Sequence, residues 1–293
     1  MREVLRPTLV LFLVSLVGHG AEEKQPCPHS VAYGQNADAG RFANVNGIAT
    51  YYETYGSGPP LLLIHGNGGS ISSMRCQILH FSRFYRIIAV DSRSHGKTED
   101  GTARLTYEQM ADDLAELLAE MKVNTVDIIG HSDGGVIALL FAIRHPSRVN
   151  ALVASGPNLR PDATAVFPWL LPFYTKAVKQ ANAMLAQGDI SKNWARIKRW
   201  NELMLAQPRI PTKDLSRIKA PTLILGGDED VIRPEHLLEI YRNVPQAHLL
   251  ILPGATHFIH REEYEWYNRA AERFLTRPFT RPTSRQVLEQ MYK

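Results

Sequence analysis

A serine hydroxyl is a poor nucleophile near neutral pH unless a base takes its proton, and an imidazole serves as that base only when a third group fixes its tautomer. Gly130-His131-Ser132-Asp133-Gly134 places Ser132 where this chemistry is possible. The G-x-S-x-G run lies between an apolar strand pattern, Val126–Ile129, and a helical pattern over 134–145, the setting of a strained turn that presents its serine at a helix N-terminus. Two downstream turns supply partners. Asp230 closes Gly226-Gly227-Asp228-Glu229-Asp230, and His257 closes Pro253-Gly254-Ala255-Thr256-His257. Asp228 and His260 are weaker rivals for the two roles. Upstream, His65-Gly66-Asn67-Gly68-Gly69 follows another apolar run, where a glycine-rich loop lets backbone N–H groups approach a substrate oxygen. The backbone N–H groups of Asn67 and Asp133 are the expected oxyanion donors, with His65 holding the loop; a plain turn is the alternative. Such a set transfers an acyl group from an ester or amide to water, with no metal or organic cofactor.

Positioning these residues requires strands that end on a common edge. Leu61–Ile64, Ile87–Val90, Val126–Ile129, Leu152–Ala154, Leu223–Leu225 and Leu249–Leu252 are short apolar runs of the kind buried on both faces of a parallel sheet. Phe42–Val45 and Ile48–Tyr55 flank Asn46-Gly47, a hairpin signal that adds an antiparallel edge. Helical patterns fall at 106–121, with Thr106 as N-cap, at 134–145, and at 234–243 opening on Pro234. The alternation predicts an α/β fold with helices on both faces of a mostly parallel sheet. Residues 158–215 break the rhythm. They carry many aromatics and prolines, and two helices near 175–187 and 191–207 separated by Gly188-Asp189. This stretch reads as a helical cap over the strand ends, with an outer helix pair as the alternative.

These motifs, with Asp91-Ser92-Arg93-Ser94-His95-Gly96, resemble the α/β-hydrolase superfamily over residues 41 to 275. The resemblance implies an eight-stranded, mostly parallel sheet with a small helical cap, and a Ser132–Asp230–His257 triad. Asp230, followed by Val231-Ile232-Arg233-Pro234, fits the family's acid better than Asp228. Two departures stand out: Ser94 replaces a glycine of the D-x-R-G-x-G turn, and Thr256 replaces a glycine beside His257, where it threatens to crowd the histidine. Some relatives with a serine-aspartate elbow resemble amino-acid ester hydrolases, which makes Asp133 a candidate for holding a cationic substrate group. Pairing of Asp133 within the fold, to Arg93 or another base, is the competing reading. Phe167 and Trp169 of the cap are expected to line the substrate pocket. C–C hydrolysis and aminopeptidase activity use the same residues, and a non-catalytic binding module is a remoter alternative.

Length and composition agree with an enzyme domain of this size. The 293 residues carry 33 Lys+Arg against 29 Asp+Glu, a net charge of +4 too small and scattered to select nucleic acid as a partner. Residues 1–21 have a basic start, an apolar run Leu9–Val17 and small residues Gly18, Gly20 and Ala21, the layout of a signal peptide. An uncleaved anchor is the alternative. The expectation is therefore a secreted or periplasmic protein without stable membrane insertion after cleavage, acting on a small-molecule ester or amide. Its divisions are an arm at 22–40, a core at 41–157 and 216–276, the cap at 158–215 and a tail at 277–293. Cys27 and Cys76 either pair in an oxidising compartment or stay free; no Cys/His cluster suggests a metal.

Overall fold

The computed structural model describes residues 27, 30–102, 104–276 and 283–292. The proposed signal peptide and most of the junction between core and tail lie outside the described residues. Eight strands form one sheet in the order β1 (Gly40–Val45), β2 (Ile48–Tyr55), β4 (Arg86–Val90), β3 (Pro60–Ile64), β5 (Val126–His131), β6 (Val149–Ser155), β7 (Thr222–Glu229) and β8 (Ala247–Thr256). β2 runs antiparallel to both β1 and β4, and all pairs from β4 to β8 are parallel. The tight Asn46-Gly47 turn, with both residues at positive φ, joins β1 to β2. Leu61–Ile64 and Ile87–Val90 are fully buried, because helices cover both faces of the sheet there.

One apolar layer packs α2 (Tyr107–Glu120), α3 (Asp133–Arg144) and α6 (Pro234–Asn243) on the sheet; the other packs α1 (Arg75–Phe81) and α8 (Tyr264–Thr276), with the short α7 (Ile259–Glu262) before α8. Thr106 caps α2 by accepting from the Gln109 N–H at 3.1 Å. α3 is buried nearly all round because it lies at the centre of its layer. The arm is fixed from two sides. Glu53, fully buried, accepts from the backbone N–H of Gly34 and Asn36 and from the hydroxyls of Tyr51 and Tyr55. Cys27 and Cys76 form a disulfide that ties the arm to α1.

Between β6 and β7 the chain leaves the sheet to form α4 (Leu170–Ala186) and α5 (Trp194–Ala206), a helical hairpin largely exposed. α4 begins five residues before its expected start near 175, since Pro172 falls in the first turn, where a missing N–H costs nothing. The Ile210 N–H donates to the Leu159 carbonyl at 2.9 Å, closing the base of this insertion. α5 is anchored on the loop after β4. The Trp200 ring stacks on His95 at 4.9 Å and its indole N–H donates to the Ser94 carbonyl at 2.9 Å. Arg196 pairs with Asp100 at 2.8 Å and donates to the carbonyls of Gly96 and Thr98. A further helix, α9 (Ser284–Met291), ends the described chain.

Candidate active site

β5 delivers Ser132 to the carboxyl edge of the sheet, where the chain reverses into α3. Ser132 sits at φ 58° and ψ −122°, a conformation unfavourable to an L-residue. The turn survives because its N–H donates to the Ser155 carbonyl on β6 at 2.7 Å and its own carbonyl accepts from Gly135 and Val136. Gly134 is required here, because a Cβ would run into the Ile64 carbonyl of β3. Asp133 opens α3, so its N–H has no carbonyl one turn back to bond.

Three strands bring the remaining groups to that edge. The His257 Nε2 lies 2.8 Å from Ser132 Oγ, and its Nδ1 lies 2.6 Å from Asp230 Oδ1. Asp230 is only 2% exposed and also accepts from the Ile232 N–H at 3.0 Å. Asp228, by contrast, is exposed and accepts from the Gly254 N–H, so it braces the β7 and β8 ends against each other. Burial pushes the His257 pKa down, but the Asp230 charge and hydrogen bond, with a further contribution from Asp133, outweigh it and raise the value above that of a free imidazole. The geometry is that of a hydroxyl, an imidazole able to take its proton, and a carboxylate that keeps the imidazole's other proton in place.

The loop after β3 faces the same serine. A Cβ on Gly66 would sit 3.0 Å from Ser132 Cβ, so only glycine leaves room for a reacting group. The Ser92 N–H donates to His65 Nε2 at 3.1 Å, which leaves Nδ1 protonated to donate to the Gly66 carbonyl at 2.7 Å. Burial lowers the His65 pKa and keeps it neutral for this task. His65 thus turns the Gly66 carbonyl toward itself and fixes the loop that carries the Asn67 N–H.

The family model described as the alpha/beta hydrolase family matches residues 61–270, which include Ser132, Asp230 and His257. The chain belongs to the alpha/beta hydrolase family. It is 27% identical to 2-hydroxy-6-oxo-2,4-heptadienoate hydrolase of Pseudomonas putida over 82% of this chain and 97% of that protein. It is 24% identical to the human serine hydrolase BPHL over 94% of this chain and 97% of that protein. Among solved structures it superimposes on an alpha/beta hydrolase from a deep-sea metagenome library with a TM-score of 0.72, at 18% identity, over 83% of this chain and all of that one. The meta-cleavage product hydrolase of Pseudomonas fluorescens gives 0.67 at 22% identity, over 82% and 99% of the two chains. These structural likenesses show the fold, and the named relatives make this chain an enzyme of hydrolase type.

Two compartments open on the Ser132 hydroxyl of this hydrolase. The first, a narrow cavity of about 30 Å³, is walled by Tyr107, Leu170, Tyr174, Val231 and Ile232, with Asp133 among its lining. The second, about 380 Å³, lies over the Gly66–Gly69 loop and reaches Phe258, His260 and Arg261. Phe167 and Trp169 line neither. Trp169 is 54% exposed and packs edge-on against Phe173, while Phe167 lies under the Arg233 guanidinium. Their neighbours Val166 and Leu170 point inward instead, because α4 starts at Leu170 and its first turn sets which side chains face the pocket.

Asp133 is not paired to Arg93, whose guanidinium makes a buried two-point ion pair with Asp113 at 2.6 and 2.7 Å. Its partners are neutral: the Asn67 side-chain amide, at 2.8 Å, and the Tyr107 hydroxyl. Burial raises its pKa to about 6, less than full desolvation would demand because those two donors and the nearby His257 favour the charged form. Asn67 is more than a backbone donor: its side-chain amide also reaches the Trp200 carbonyl of α5 at 3.3 Å, joining the loop, the elbow and the cap. His260 is buried against His131, with ring centroids 3.7 Å apart, and makes no hydrogen bond to Ser132. Thr256 does not crowd His257: its exposed hydroxyl donates to Glu262 and accepts from the Phe258 N–H. Ser94 meets the demand for a left-handed residue at φ 68° and donates its hydroxyl to Asp100. Among the described residues no cluster of three or more His, Cys, Asp or Glu side chains suits a metal ion.

Proposed function

We propose that this enzyme is a serine hydrolase that cleaves carboxylic esters of small molecules, with Ser132 as nucleophile, His257 as general base and acid, and Asp230 orienting the imidazole. The reading rests on the continuous hydrogen-bonded chain Asp230–His257–Ser132. His257 Nε2 takes the Ser132 proton as Oγ bonds to the ester carbonyl carbon. The carbonyl oxygen, now negative, is held by the Asn67 and Asp133 backbone N–H groups. The tetrahedral intermediate expels the alcohol oxygen, which leaves with the proton from His257. A water molecule, deprotonated by the same imidazole, then releases the acid and restores Ser132.

The narrower compartment suits the acyl group, which stays attached between the two half-reactions, and the wider one suits the alcohol, which must depart. Asp133 then faces the acyl side. A carboxylate supported by two neutral donors and no cation is ready to receive one, such as the α-amino group of an aminoacyl ester. Tyr107, Leu170 and Ile232 offer contacts to an apolar amino-acid side chain. The reading therefore narrows to esters of small apolar amino acids. C–C hydrolysis is the second reading, favoured by the likeness to meta-cleavage product hydrolases.

Secretion or periplasmic residence is proposed with it, supported by the Cys27–Cys76 disulfide, which persists in oxidising compartments. The deciding experiment is turnover of a panel of aminoacyl esters, simple esters and a vinylogous diketone by wild type and Ser132→Ala, with fluorophosphonate labelling of Ser132. Ester hydrolysis and labelling, both abolished in the variant, are expected. Full turnover by Ser132→Ala ends the reading, and turnover of the diketone alone replaces it with the second.

A further inference from the structure

The two compartments beside Ser132 differ in charge. Asp133 is the one carboxylate lining the first, whereas the second is lined by no carboxylate and carries the Arg261 guanidinium at its rim. The Arg261 guanidinium carbon lies 4.9 Å over the Phe258 ring, a contact that holds the side chain without neutralising its charge. Among the described residues Arg261 makes no ion pair within 4 Å. The neighbouring Glu262 is engaged by the Thr256 hydroxyl. Arg75 stands close behind, with its Nε buried and without a hydrogen-bond partner. Partial burial, and then the Arg75 charge, depress the Arg261 pKa, and the Glu262 charge offsets them only in part. His260 and His131, which share that wall with the triad histidine, are kept neutral by their burial and by the positive charge around them, so neither competes for an anion.

We infer that the wider compartment is a leaving-group subsite for an anion, with Arg261 as the residue that selects an alcohol or phenol bearing a carboxylate or phosphate. The inference rests on the ester-hydrolase reading and deepens it. The planar guanidinium can pair with two oxygens of an oxyanion, and it lines the same compartment as Ser132 and the Gly66–Gly69 loop. Arg75 adds field rather than contact. The anion departs with the alcohol, so the subsite raises kcat/KM without holding the acyl-enzyme.

The test uses two aryl esters with one acyl group and phenol leaving groups that differ only in a meta carboxylate or a meta carboxamide. The ratio of their kcat/KM values cancels any loss of folded enzyme. Wild type is expected to favour the carboxylate by about tenfold at low salt, as a partly exposed charge-assisted hydrogen bond allows, with the ratio falling as salt rises. Arg261→Gln is expected to bring the ratio near one, Arg261→Lys to restore part of it, and Arg261→Glu to invert it. Phenyl phosphate added as a competitor reads the phosphate arm, inhibiting wild type more than Arg261→Gln. Equal rates for the two esters in wild type, or a preference that survives Arg261→Gln, overturns the subsite while leaving the triad reading intact. Absence of turnover of either ester overturns both.

Discussion

At the level of single residues, two ionisations govern the expected behaviour, and they separate. His257 must be neutral to accept the Ser132 proton, and its pKa is raised above the ordinary 6.5 by Asp230 and Asp133 against the pull of burial. The kcat/KM for an ester without an amine is therefore expected to fall as pH drops through a value above 6.5. Asp133 must be charged to hold an amine, and its pKa lies at about 6. The ratio of kcat/KM for an aminoacyl ester over its des-amino analogue should thus fall separately as pH drops through about 6. In Asp133→Asn that ratio is expected to lie near one at every pH; a ratio unchanged by the substitution would show that the carboxylate does not read the amine. The same carboxylate carries a cost. A carboxyl whose folded pKa lies above its unfolded value loses stability as pH rises through the interval between them, here 3.8 to about 6. Asp133→Asn is accordingly expected to be more stable than wild type above neutrality, by up to about 3 kcal/mol in urea unfolding, with no difference at low pH.

At the level of elements, the strands were legible because a parallel sheet demands solid apolar runs, and six of them stand in the sequence as blocks such as Leu61–Ile64. The elbow and the turns of Asp230 and His257 were legible for the same reason: each closes such a run. Less was readable where contacts decide. α1 is seven residues long, too short for a clear period, and α8 hides its buried side in Tyr267, Ala271 and Phe274, among charged neighbours. The start of α4 depends on Pro172 occupying a first turn, and the roles expected of Phe167 and Trp169 shifted with it. The amide of Asn67 gave no signal at all, since Asp133 and Trp200 are 66 and 133 residues away. The cap itself invites a test. Trp200→Ala removes the stack on His95 and the indole hydrogen bond to Ser94 while leaving the Trp200 carbonyl in place. It is expected to destabilise the fold by about 1–3 kcal/mol and to raise KM for aminoacyl esters more than it lowers kcat. A change confined to kcat would show that the cap acts on chemistry rather than on binding.

At the level of the whole molecule, the sheet is bounded on one side by the β1–β2 hairpin and the arm, and that side is secured independently of the site. The Glu53 carboxylate gathers four donors from the arm and β2, while the disulfide links Cys27 to Cys76 across 49 residues. Replacing both cysteines by serine is expected to lower stability by about 2–4 kcal/mol, mainly by freeing the unfolded chain, and to leave kcat/KM within about twofold. Equal unfolding midpoints for oxidised wild type and the double variant would show that the carboxylate alone suffices.

The hydrogen bond from Ile210 to Leu159 has a wider meaning. It pinches the two ends of the cap segment together outside the sheet, so the fifty residues between them hang from a closed stem. Lengthening or exchanging what hangs there carries only the slowly growing entropy of a longer loop and leaves the strand register under Ser132 undisturbed. A scaffold jointed in this way can change what it recognises without rebuilding what it does.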